Sequence, residues 1–346
     1  MGVSGLRSGR RLDFWSDARS PGSPAIVRVP PSRRSETWKQ LVLRGMLPEV
    51  TIADVQRAIE LEPVSLDQDL HTQAARLLPL CVNLQITGVS RRSRKPGFFL
   101  SAGMHAREWI APATLIYIAG QLIEQYGNNT AVTQLVDSME WVILPVFNVD
   151  GYTYTWTTDR LWRKTRSRQN NETCVGVDPN RNWDWKWCEK GASKDPCSPI
   201  YCGPSVTSEP EVKGVADFLA AVPGRFKAYV DFHGFLQIWL SPWGHSRAFP
   251  RWFIFQRLCS NEAVRAITAV HGTKYRQGTT ALTLYVISGA GMDWAYGVAK
   301  IPYAVTVELR DTGKYGFLLP ANQIIPSGEE TLQGIIAMAR YVIRYS

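Results

Sequence analysis

From about residue 82 onward, short runs of β-branched and aromatic residues alternate with longer stretches carrying apolar residues at helical spacing. Few architectures accommodate that order. The runs are VNLQIT, GFFLSA, WVILPVF, KAYVDF and YAVTVE, and the helical patterns fall near residues 110–126, 209–221, 250–271 and 328–345. Near-continuous apolar strands are those buried on both faces, and helices must supply the covering layers. The alternation therefore predicts an α/β protein: a mixed, mostly parallel twisted sheet with helices on both faces. Residues 150–208 are rich in turn formers and poor in periodicity, so they predict a long ordered loop region, the usual carrier of binding groups.

The N-terminal third reads differently. Residues 1–36 are rich in Arg, Ser, Pro and Gly and should be largely irregular, apart from the alternation in AIVRV, which can make one strand. The segment TWKQLVLRGMLPEVTIADVQRAIELE places apolar residues at helical spacing on either side of a Gly and a Pro, which suits a small α/β module. Much of the net charge of +9 lies in this leader and in RRSRK at 91–95. No basic stretch is interleaved with aromatics as in nucleic-acid modules, and no apolar run reaches the roughly 18 residues of a membrane span. Neither nucleic acid nor a membrane is an expected partner.

Four of the six cysteines, Cys174, Cys188, Cys197 and Cys202, crowd into one loop-like stretch rich in Gly, Pro, Ser and Asp. A zinc cluster would normally show a C-x-x-C pair, and there is none, so two disulfides are favoured. Disulfides imply an oxidising compartment. Asn128 and Asn171 stand in glycosylation sequons, which agrees with it, although the N-terminal GVSGLRSGRRLDFW has no apolar core of the kind a secretory signal carries.

Directly after the strand GFFLSA comes HAREW, with His105 and Glu108 three residues apart at the entrance to a helix. That spacing lets an imidazole and a carboxylate reach one metal ion, but a lone H-x-x-E arises easily by chance. His233 follows the strand KAYVDF, and strand C-terminal ends in α/β sheets face the ligand crevice. Two His and one Glu make the three-ligand set of a catalytic zinc, with a position open for substrate or water. A third strand ends in Glu308, where a carboxylate can take a proton from an attacking water. Its bland alternative is an ion pair with Arg310. The loop region adds Arg160, Arg163 and Arg181 in RLWRK and DPNRNW, which are aromatic-rich and poor in acidic partners. Arginine is the side chain suited to gripping a carboxylate with two parallel hydrogen bonds.

The strings HAREWI, NVDGY, TTDRLWRK, CVGVDPNRNW, LYVISGAGMDW and ELRDTGKYGFLLP, in that order, resemble the signature strings of the carboxypeptidase A/B family over about residues 82–346. The resemblance implies a zinc exopeptidase acting on peptide or protein C-termini, secreted, monomeric, and subject to protein inhibitors of carboxypeptidases. It implies that His105, Glu108 and His233 hold one zinc ion, that Glu308 is the general base and acid, and that Arg163 stabilises the oxyanion. Asn180, Arg181 and Tyr285 would grip the terminal carboxylate, and Arg107 and Arg160 would serve subsites further along the peptide.

Met292 stands where an acid in the family selects basic C-terminal residues, so apolar or aromatic ones are expected here. Ile287 and Thr280 stand where carboxypeptidase A carries a small Ala and an apolar Ile, which implies a narrower, partly polar pocket. The cysteine pattern resembles the carboxypeptidase B branch and implies Cys174 with Cys197 and Cys188 with Cys202, leaving Cys81 and Cys259 unassigned. Residues 1–61 would comprise a disordered leader and the later half of an inhibitory prosegment, and 62–81 a linker in place of the family's first helix and strand. Such a shortening raises a second expectation: an impaired variant that binds zinc or peptide without efficient turnover. A zinc endopeptidase is disfavoured, because H-E-x-x-H is absent.

Overall fold

A computed structural model describes residues 12–16, 24–60, 84–88, 95–168 and 173–345. Cys81, Asn171, the whole 62–81 segment and all of RRSRK but Lys95 lie outside the described residues. The strands are β1 (Asp13–Ser16), β2 (Ile26–Arg28), β3 (Leu84–Thr87), β4 (Gly97–Ala102), β5 (Glu140–Leu144), β6 (Phe226–His233), β7 (Ile238–Ser241), β8 (Arg276–Thr279) and β9 (Tyr303–Glu308). The α-helices are α1 (Arg34–Leu43), α2 (Val55–Glu60), α3 (Ile110–Glu124), α4 (Thr130–Ser138), α5 (Val149–Thr157), α6 (Pro210–Ala220), α7 (Phe253–His271), α8 (Thr280–Thr283), α9 (Gly291–Gly297) and α10 (Ile324–Tyr345).

β1 and β2 pair antiparallel as a separate ribbon, and the other seven form one sheet in the order β3-β5-β4-β6-β9-β7-β8. Four of its pairings are parallel, while β3 on β5 and β7 on β9 are antiparallel, which is the mixed, mostly parallel sheet expected. Period-two alternation in GFFLSA explains its burial on both faces. Phe98 and Leu100 enter one core with Leu115 and Ile118 of α3, Ala263 of α7 and Ile335 of α10. Phe99 enters the opposite core with Val212 of α6, Trp183 and Trp294 of α9. Each fully buried large side chain contributes about 1.5–3 kcal/mol, so the central strands are held from both sides.

The same alternation sorts β6 and β9. Ala228, Val230 and Phe232 share the first core with Val305 and Val307, while Tyr229 and Ala304 face the second. Asp231, His233, Thr306 and Glu308 therefore point to the face of Tyr229 and Ala304. In register, His233 lies opposite Glu308, and Ser101 of β4 lies opposite Asp231.

The expected last helix begins earlier than its periodicity suggested, at Ile324. Strands β1, β7 and β8 and helices α4, α5, α8 and α9 are additions to the expected set. The strand RQGT has no apolar residue, and GMDWAYG is too short for a helical period to register. Among the described residues, the 150–208 stretch holds all of α5 but its first residue and a single 3-10 turn at Pro179–Arg181, and beyond α5 it is the ordered loop expected. Disulfides join Cys174 to Cys197 and Cys188 to Cys202 across it, in the pairing the resemblance implied. Cys259 is a buried free thiol on α7.

Candidate active site

Three segments meet above the C-terminal edge of the central strands. β4 ends at Ala102, and Gly103 turns the chain in the left-handed region at φ 70°, where a side chain would press on Pro112. The turn delivers His105 and Glu108 just before α3. β6 ends at His233 and β9 at Glu308.

His105, Glu108 and His233 are buried, and one donor atom from each lies within 4.8 Å of the others. His105 Nδ1 is 2.8 Å from Glu108 Oε1, His233 Nδ1 is 2.8 Å from Glu108 Oε2, and the two Nδ1 atoms are 3.1 Å apart. Their Nε2 atoms point away, onto carboxylates: His105 Nε2 to Asp178 at 3.1 Å and His233 Nε2 to Asp231 at 2.7 Å. A ring nitrogen that donates to a carboxylate leaves its partner nitrogen as the lone pair. Two imidazole lone pairs and a carboxylate thus face one point, a donor set that fits zinc with one position open.

Burial alone would raise the Glu108 carboxyl, but His105 and His233 outweigh it and hold it well below the usual range. Asp178 likewise stays ionised despite its burial, because Arg163, Arg181 and His105 surround it. Burial opposes the charge on His233 too, yet Asp231 and Glu108 raise its pKa well above the ordinary value, so a metal ion would take the place of the proton on Nδ1.

The loop region closes the other side. Arg163 Nη2 donates to Asp178 Oδ2 at 2.8 Å and Arg163 Nη1 lies 3.9 Å from Glu108. Asp178 Oδ1 accepts from the Asn180 backbone N–H at 2.9 Å, and Asn180 Oδ1 accepts from Gly291 N at 3.0 Å. Arg181 is fixed by its donation to Gly191 O and Asn180 O. One cavity is lined by His105, Glu108, Arg163, Asn180, Arg181, Tyr285, Met292 and Glu308 together. Its apolar wall includes Leu240, Leu284 and Ile287, and Thr280 and Thr306 add hydroxyls.

Arg107 and Arg160 are placed elsewhere. Arg107 Nη1 donates to Asp13 at 3.1 Å and its guanidinium lies 4.1 Å over the Phe317 ring. Arg160 stacks at 3.7 Å on Trp109 and donates to the carbonyls of Arg107 and Phe317. Both are buried beside the cavity rather than lining it. From β1, Trp15 and Ser16 do line it. Trp15 packs at 5.2 Å on Phe317 and against Gly316, where the left-handed φ of 60° and a Cβ 2.9 Å from the indole both demand glycine. Asp178 and Asp231 were not singled out in the sequence. Asp231 was findable, since a residue two before a strand-end His shares its face; Asp178 is brought in by loop folding alone.

The sheet edge and the two-histidine, one-carboxylate set define a zinc-hydrolase type of centre. The family model described as zinc carboxypeptidase matches residues 78–334, and that described as carboxypeptidase activation peptide matches 4–62. The chain belongs to the zinc carboxypeptidase family. Carboxypeptidase B of Astacus astacus is 46% identical over 250 residues, covering 72% of this chain and 81% of that protein. Human carboxypeptidase B is 43% identical over 251 residues, covering 72% of this chain but 60% of its own length. Mouse carboxypeptidase A2 is 36% identical over 365 aligned positions, covering 96% and 87%. Among solved structures, thrombin activatable fibrinolysis inhibitor superposes with a TM-score of 0.87 at 31% identity, covering 99% of this chain and 95% of that one. Carboxypeptidase A from Helicoverpa armigera gives 0.84 at 27%, covering 99% and 94%.

Proposed function

We propose that this chain is the zymogen of a secreted zinc carboxypeptidase that hydrolyses the C-terminal peptide bond of peptides or proteins and prefers apolar C-terminal residues. The observation that carries the reading is the convergence, in one cavity, of His105 and Glu108 from the metal-donor set, the Glu308 carboxylate and the Arg163, Asn180 and Arg181 cluster.

His105, Glu108 and His233 would hold zinc, which would supply a Lewis acid to polarise the scissile carbonyl and lower the proton affinity of water. Asn180, Arg181 and Tyr285 take the substrate's terminal carboxylate, which restricts cleavage to the last bond. Glu308 accepts a proton from water as its oxygen attacks the carbonyl carbon. The carbonyl electrons move onto oxygen, and the Arg163 guanidinium stabilises the resulting charge, a contribution of about 3–4 kcal/mol for one well-placed donor. Glu308 returns the proton to the amine nitrogen as the C–N bond breaks. The last side chain then sits among Met292, Ile287, Leu240 and Leu284, where an unpaired Lys or Arg would be costly to bury.

In the intact chain, Trp15 and Ser16 occupy the cavity wall and Asp13 engages Arg107, which supports a zymogen. Secretion is supported by the two disulfides, and Asn128 is exposed as its sequon requires. A bovine relative of known structure was solved in complex with tick carboxypeptidase inhibitor. We extend that class of partner to this chain, acting as a monomer. The alternative of an impaired variant draws no support from the cavity lining.

The test is release of Phe, Leu or Lys from blocked dipeptides, before and after tryptic activation. Chelator-sensitive release of Phe or Leu supports the reading. Release of Lys alone overturns the specificity, and silence from folded, zinc-loaded, processed protein overturns the activity.

A further inference from the structure

The two histidines of the donor set are backed by carboxylates in different electrostatic settings. Asp178, behind His105, is shared: Arg163 and the Asn180 backbone N–H also bind it, and Arg181 Nη1 lies 4.0 Å away. Its charge is spent on several partners. Asp231, behind His233, is 1% exposed, and among the described residues its side chain meets only the Ser101 hydroxyl at 2.9 Å and His233 Nε2 at 2.7 Å. Among the described residues, no arginine or lysine forms a hydrogen bond or ion pair with it. A buried carboxylate without a cation is destabilising by several kcal/mol, so its balance must come through the imidazole.

The placement follows from the strands. Asp231 and His233 are two apart on β6 and share a face, and Ser101 is the cross-strand partner of Asp231 on β4. Ser101 is fully buried, so the hydroxyl, the carboxylate and the imidazole form one chain shielded from bulk solvent and ending at His233 Nδ1.

We infer that Asp231, held by Ser101, is a positioning residue for the metal. It fixes His233 with its proton on Nε2 and its lone pair on Nδ1, and strengthens that ligand more than Asp178 strengthens His105. The inference rests on the zinc reading proposed above. Outer carboxylates of this kind change metal affinity by roughly 10–100-fold.

The experiment is zinc affinity of the full chain by chelator competition, for wild type, Asp231→Asn and Ser101→Ala, with visible spectra of the cobalt-loaded proteins. Asn keeps the shape and one acceptor oxygen but removes the charge, so packing alone predicts no change. The expected result is zinc binding weakened by about 10–100-fold in Asp231→Asn and by less in Ser101→Ala, with shifted cobalt bands in Asp231→Asn. Affinity within about twofold of wild type, or weaker binding with unshifted bands, overturns the inference. Should Asp231→Asn fail to fold, Ser101→Ala with wild-type affinity and spectrum overturns it as well. Wild-type protein that holds neither metal overturns the zinc reading and the inference with it.

Discussion

Asp13 of the N-terminal ribbon and Arg107 of the HARE segment form an ion pair at 3.1 Å, 94 residues apart in sequence, with the arginine 4% exposed. It ties the leader to the rim of the cavity that Trp15 and Ser16 line. Asp13→Asn removes the charge and leaves a buried guanidinium less well compensated, weakening leader docking by about 1.5–3 kcal/mol. The intact variant is expected to turn over substrate at least about tenfold faster than the intact wild type, since 1.4 kcal/mol corresponds to tenfold in an equilibrium. Assay before any proteolysis checks this; equal rates would show that the leader is held chiefly by the Trp15 and Phe317 packing.

Glu308 is opposite His233 in the sheet register and within the donor-lined cavity. Glu308→Gln is nearly isosteric and cannot carry the proton, so kcat should fall by about 100–10,000-fold. Zinc content, measured by metal analysis, should be unchanged. A variant that lost zinc along with activity would place Glu308 among the ligands instead.

The metal-free protein offers a pH test. Burial above all, with Glu108 and Asp231 adding, pushes Glu308 up to about 8 against the pull of His233 and Arg163. The folded state therefore holds this proton more tightly than the unfolded chain, whose carboxyl titrates near 4.5. The stabilisation from this group is full below pH 4.5 and is lost as pH rises through about 8. Thermal melting of metal-free wild type should decline over that window more steeply than melting of Glu308→Gln. Parallel curves would sink the prediction.

Met292 is 2% exposed on the cavity wall, at the start of α9. Met292→Asp places a carboxylate where only a cationic substrate side chain can offset its burial. Hydrolysis of Lys-ending relative to Leu-ending dipeptides should rise by at least about tenfold, or 1.4 kcal/mol. A melting temperature several degrees lower should accompany it, because the methionine also packs with Trp183 and Trp294. An unchanged ratio in a folded variant would locate specificity elsewhere on the wall, with Ile287 the next residue to change.

Period-two burial in GFFLSA and KAYVDF, with helical stretches between, made the central sheet legible from sequence, and it put His105, His233 and Glu308 at strand ends. The edge strand RQGT and the short helix GMDWAYG were not legible. Their stability comes from neighbours rather than from their own apolar pattern. The motif strings made the family legible, and they carry His105, Glu108, Arg163, Asn180, Arg181, Tyr285, Met292 and Glu308, which line the cavity.

Tertiary structure alone decided three things. Asp178 reaches His105 across 73 residues of sequence, and nothing local to either announces the contact. Arg107 and Arg160 lie beside the cavity rather than in it, because Asp13, Phe317 and Trp109 offer a buried guanidinium better partners there. The charge around Asp231 is likewise a matter of what does not approach it in three dimensions. Periodicity, burial and strand-end placement are local properties that a sequence encodes directly. Which carboxylate neutralises which cation depends on distances set only when the loops and the leader have packed, and in a low-dielectric interior those distances govern the chemistry.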